Sequence, residues 1–94
     1  MAAEHVTEWL QEKKPDATVR YLGPDDDGVH RWTLEQGGIA FELDVAHQVL
    51  DNAGMLAERL MELDTLGYLS RVGEEEFVVV LTPANVAGEP GLWE

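Results

Sequence analysis

Cysteine is absent. No disulfide, zinc–thiolate centre or thiol nucleophile can therefore be built, and the absence fits a reducing interior. Serine occurs once, as Ser70, and outside any Gly-x-Ser-x-Gly turn, which removes the usual setting of a serine nucleophile. A glycine-rich phosphate loop is missing too, since Gly37-Gly38 has neither a later glycine nor a following helix. No run approaches the roughly 18 apolar residues of a membrane-spanning helix. The stretch Met1 to Glu8 has no basic segment leading into an apolar one, so no secretory leader is expected and the chain is read as cytoplasmic. Cations are the scarcest resource: 6 Lys plus Arg stand against 19 Asp plus Glu, for a formal net charge of -13. Such a field repels nucleic-acid phosphates and anionic membranes and attracts basic proteins. The same charge also serves solubility, or life in a saline cytoplasm, and Lys13 and Lys14 are the only lysines.

Against these absences, 45% of the 94 residues are hydrophobic, which is enough for one domain with one core. A chain of this size buries only roughly 60–65% of its unfolded surface, so an oligomer interface would add useful burial. The expected boundaries are a single α+β domain over residues 1–83 and a loose C-terminal tail over 84–94, with Leu92 and Trp93 packing back.

Glu4 to Lys14 predicts a short helix, with Val6, Trp9 and Leu10 on its apolar stripe and Trp9 as its core anchor. Pro15 stops it. Ala17 to Leu22 predicts a strand, with Val19 and Tyr21 on one face. Gly23-Pro24-Asp25-Asp26-Asp27-Gly28 is a turn: proline presets φ, aspartates bond their own backbone, and Gly28 accepts positive φ. Val29 to Glu35 follows as a strand with His30, Trp32 and Leu34 on one face. Gln36-Gly37-Gly38 marks a tight hairpin. In Ile39 to Val45 the odd positions point inward and Glu42 and Asp44 outward.

The next element is the one around which the chain is organised. Val49, Ala53, Leu56, Leu60, Leu63 and Gly67 recur at helical spacing. The helix begins either at Val45, capped by Asp44, or after Asp51 or Asn52; the longer version is favoured because Val49 joins the stripe. Gly67 is its C-terminal cap. Tyr68 to Val72 and Glu76 to Leu81 then read as a hairpin across Gly73-Glu74-Glu75. Phe77 to Leu81 is apolar on both faces, as in a strand central in a sheet or at an interface. The expected order is α-β-β-β-α-β-β: a mostly antiparallel five-stranded sheet packed by one long helix.

Two acidic runs are the candidate partner-binding residues: Asp25, Asp26 and Asp27 in the first turn, and Glu74, Glu75 and Glu76 in the last. The first run does not form a calcium loop, because counting from Gly28 places Gly23 and Leu34 at ligand positions. His5, His30 and His47 fall on three different elements without metal-ligand spacing. No catalytic, metal or cofactor residue is assigned.

Leu63 to Pro83 resembles the end of a winged-helix domain, where a helix runs into a two-stranded wing. Three strands before it and three glutamates in the wing are the wrong setting and the wrong charge for a DNA binder. The element order from Glu4 to Leu81 resembles type III secretion chaperones and the small bacterial domains that share their fold. That resemblance implies a small, acidic, often dimeric protein that binds the extended segment of a secreted effector.

The expected function is thus a non-enzymatic, chaperone- or adaptor-like binding module for a protein partner of basic character, dimeric, with no nucleic acid or membrane as partner. One alternative is an acidic inhibitor (an immunity protein, antitoxin or phage-encoded inhibitor) whose carboxylates block a basic nucleic-acid-binding partner. The other is a small enzyme.

Overall fold

The computed structural model describes residues 2–91. Helix α1 (Ala2–Lys13) leads into strands β1 (Thr18–Pro24), β2 (His30–Gln36) and β3 (Ile39–Val45). Helices α2 (His47–Leu50) and α3 (Ala53–Thr65) and a 3₁₀ turn (Tyr68–Arg71) follow, and β4 (Phe77–Leu81) and β5 (Val86–Pro90) close the chain. The five strands lie in sequence order in one sheet. β1–β2, β2–β3 and β4–β5 are antiparallel, while β3 and β4 run parallel. A parallel pair cannot be joined by a tight turn and needs a long crossover. α2, α3 and the 3₁₀ turn supply it.

The alternation of side chains fixes the layers. Trp32 and Leu34, Phe41, Leu43 and Val45, and Phe77, Val79 and Leu81 share one face and are buried. Val6 and Leu10 of α1, Val49 of α2, and Leu56, Leu60 and Leu63 of α3 pack on them as one cluster. The other face carries Arg20, Arg31, Thr33, Glu35, Glu42, Asp44, Val78 and Val80, all at least partly open to solvent. Nothing among the described residues covers it. The molecule is two layers, helices on sheet, with the second sheet face bare.

Several expectations change. The long helix is two helices. Asn52 breaks it: its side-chain oxygen accepts the Met55 backbone N–H at 3.0 Å and its own backbone is extended. An asparagine that can satisfy a free N–H in this way competes with helix continuation. Gly67 does close α3, in the left-handed region at φ 78°. Tyr68 to Val72 is not a strand. Ser70 Oγ donates to the Gly67 carbonyl at 2.6 Å and the backbone winds into the 3₁₀ turn, so neither the expected last hairpin nor a winged-helix wing forms.

The fifth strand is Val86–Pro90, inside the expected loose tail. Thr82 builds the turn before it: its hydroxyl accepts from the Ala84 and Asn85 backbone N–H groups at 3.2 and 3.1 Å. Arg59 secures the same turn from below. Its Nε and Nη2 donate to the Thr82 and Pro83 carbonyls at 2.9 and 2.6 Å, and it is 9% exposed. Leu92 and Trp93 lie outside the described residues. Trp9 is only half-buried at the rim of the core, with the Lys13 ammonium 5.7 Å from its ring; Val6 and Leu10 are the anchors of α1.

Candidate functional site: the β1 margin and the open sheet face

The two acidic runs do not meet. Asp25, Asp26 and Asp27 lie beyond Pro24 and His30, in line with Val45 and Leu81. Glu74, Glu75 and Glu76 precede Phe77, which pairs with Phe41 at the other end of the strands. The sheet's full strand length separates them. Asp25 is a turn builder: its Oδ1 accepts the Asp27 and Val29 backbone N–H groups at 2.8 and 3.0 Å. The Val29 hydrogen bond leads the causes that hold its carboxyl below the usual range, with Asp27 and the nearby Arg31 adding to it. Glu75 pairs with Arg71 at 3.1 Å across one turn of chain.

The structure brings together a different charged group, on the open sheet face. Arg31 of β2 stands opposite Asp44 of β3. Its Nε lies 3.0 Å from Asp44 Oδ1 and 3.1 Å from Glu42 Oε2, and its Nη2 reaches Asp25 Oδ2 at 3.4 Å. One N–H thus faces two carboxylates. Burial, followed by the hydrogen bond and negative charge of Asp44, pushes the Glu42 carboxyl up to about 7, against an opposing pull from Arg31. The hydrogen bond to Asp44 raises the Arg31 guanidinium further above its ordinary value. A two-residue hairpin of Gly37 and Gly38 dictates this pairing, so the register was available from sequence; the sharing of one donor was not.

The second group lies at the free margin of the sheet, on the helix side. β1 is an edge strand of seven residues, with Tyr21 37% and Leu22 57% exposed. Leu22 is skipped in the pairing with β2, which marks a bulge. Tyr21 pairs across to Trp32, their ring centroids 4.8 Å apart. The Tyr21 hydroxyl and His30 Nδ1 share a 2.7 Å hydrogen bond, and the two rings stack at 6.0 Å. Trp32 is wholly buried and its indole N–H donates to Thr7 Oγ1 at 2.9 Å. The phenol is therefore held from two sides. Above it α1 contributes Ala3, Glu4, Thr7 and Glu8, leaving an open cleft of about 500 Å³ between helix and strand. Residues at i and i+4 of a helix share a face, which is why Glu4 and Glu8 both line it. Tyr21 was legible as sharing a strand face with Val19 but not as an exposed residue at a margin, because edge position depends on the sheet order.

The histidines stay apart: His30 is bonded to Tyr21, on the sheet face opposite Glu42 and Asp44; His47 lies under the first turn, near Gly28; His5 lines a shallow groove with Trp9 and Met61. No group of three or more His, Asp or Glu among the described residues is placed to hold a metal ion. No helix among them is long and apolar enough to cross a membrane. No family model, curated protein or solved structure matches this chain.

Proposed function

We propose that this chain is a non-enzymatic, chaperone- or adaptor-like binding module that takes an extended segment of a basic protein partner along the edge of β1. The observation that carries the reading is β1 itself. It ends the sheet, runs for seven residues and leaves Tyr21 and Leu22 partly in solvent. An edge strand presents unpaired backbone N–H and C=O groups that an added strand can bond, with side-chain pockets giving selectivity. β5, the other edge, offers a shorter template, five residues against seven. The net charge of -13 favours a cationic segment and speeds its encounter. The acidic-inhibitor reading gains nothing from the fold, because a single phosphate-mimicking surface needs both carboxylate runs on one side.

The test uses a random nonapeptide library displayed on phage. Synthetic versions of enriched peptides are then methylated on backbone nitrogens, one position at a time. Strand addition predicts an alternation: methylation at every second residue abolishes binding, and the intervening positions tolerate it. Uniform tolerance would refute edge pairing.

A further inference from the structure

We propose that the cleft between α1 and β1 is a receptor for one lysine or arginine side chain of the segment added to β1. This rests on the edge-strand reading and names the chemistry that the edge selects.

Side chains alternate across a strand, and a strand added to β1 continues the sheet's pleat. Its residues on the helix side stand in line with Val19 and Tyr21, below α1, whose chain contacts β1. One of them enters the cleft lined by Ala3, Glu4, Thr7, Glu8 and Tyr21. The lining calls for a long side chain with an apolar stem and a cationic head. Ala3 and the Tyr21 ring offer a surface for methylenes. Glu4 and Glu8 supply carboxylates to the head, where charge-assisted hydrogen bonds are the strong ones. The Tyr21 ring adds the face of an aromatic, to which cations are drawn.

The Tyr21 and Thr7 walls of the cleft are held in place. Tyr21 cannot swing away without breaking its 2.7 Å bond to His30 and its contact with Trp32. Thr7 is likewise fixed, donating to the Ala3 carbonyl at 3.0 Å while accepting from Trp32. Such preorganisation lowers the ordering cost of binding.

Charge also decides between occupants and faces. A second copy of this chain would bring another -13 to the edge, whereas a basic segment is complementary. On the opposite face of β1, exposed Arg20 offsets Glu35 in the same groove, whereas the lining on the helix side carries Glu4 and Glu8. A basic residue is thereby directed to the helix side, and the edge reads not only composition but the phase of the segment.

The experiment repeats the nonapeptide selection on the parent protein and on the Glu4→Gln/Glu8→Gln double variant. Both positions are exposed, and circular dichroism checks that the variant keeps its fold. The parent is expected to enrich peptides with lysine or arginine at one position, and the double variant to bind peptides without that preference. In a parent-selected synthetic peptide, replacing that lysine by norleucine is expected to weaken binding about tenfold on the parent and far less on the variant. Peptides without a cationic preference, or a preference that survives in the variant, would overturn the cleft assignment and leave edge pairing intact. A selection that enriches no peptide on the parent would overturn both.

Discussion

Glu42 carries a titration that stability measurements can read. Its folded-state value of about 7 lies above the ordinary 4.5 of a free carboxyl. Between those limits the folded chain holds a proton that the unfolded chain has lost. The stabilisation from that proton is complete below about pH 4.5 and disappears as pH rises through about 7. The parent should therefore lose stability across this window. Glu42→Gln, which mimics the protonated carboxyl beside Asp44 and Arg31, should lose less and exceed the parent at pH 8 by about 1–2 kcal/mol, a figure reduced for the solvent that still reaches the site. Urea unfolding at pH 5, 6.5 and 8 measures it, with Glu35→Gln on the same sheet face as the control for net charge. Equal pH slopes for parent and Glu42→Gln would refute the assignment.

At the scale of elements, the break between α2 and α3 rests on one side chain. Asn52→Ala should cost about 1 kcal/mol, the usual worth of such a cap, whereas Asp51→Ala should change stability by less than about 0.5 kcal/mol. Chemical denaturation of the two variants distinguishes the caps. Gly88 is a second control point, on β5. A Cβ there would lie 2.8 Å from Phe77 Cε2 and 2.9 Å from Tyr68 Cε1. Gly88→Ala should thus force those rings apart at a cost of about 1–3 kcal/mol, with the change in near-ultraviolet dichroism falling on Tyr68 and Phe77.

These two elements also show where sequence reading ends. The first three strands were legible because each alternates and a glycine pair pins the register of β2 on β3. The apolar stripe of α3 was legible for the same kind of reason, with Leu56, Leu60 and Leu63 recurring at helical spacing. β5 was not: Val-Ala-Gly-Glu-Pro has no alternation and owes its strand state to the hydrogen bonds and crowding that β4 and Tyr68 provide. Tyr68 to Val72 has strand-like composition, but a local Ser70–Gly67 bond prevailed over it. The count of five strands agrees with expectation and Glu76 to Leu81 does hold a strand, β4, but the expected long helix is two helices and the remaining strand is Val86–Pro90 instead of Tyr68 to Val72. For the site, the acidic runs drew attention by being consecutive. The groups assembled by the fold, Arg31 with Glu42 and Asp44, and Tyr21 with α1, are dispersed in sequence and meet only through pairing and helix placement.

For the molecule as a whole, net charge of -13 on 94 residues means that compaction works against self-repulsion. Raising sodium chloride from about 0.05 to about 0.5 M shortens the screening length to a few ångströms and should raise the thermal midpoint by several degrees. A midpoint that is unchanged or falls would refute self-repulsion as a measurable cost of folding.

The parallel contact between β3 and β4 sets an order of events in time. Neighbouring hairpins close quickly because little chain lies between their strands, whereas β4 must await the whole passage from Ala46 to Glu76 before it can join β3. β1, β2 and β3 therefore form a leaf that can assemble early, and β4 with β5 a second leaf that arrives late. The line between them is a seam. Native-state hydrogen exchange should show the second leaf parting from the first before either leaf frays, so that the sheet opens along one chosen line while β1 stays paired with β2.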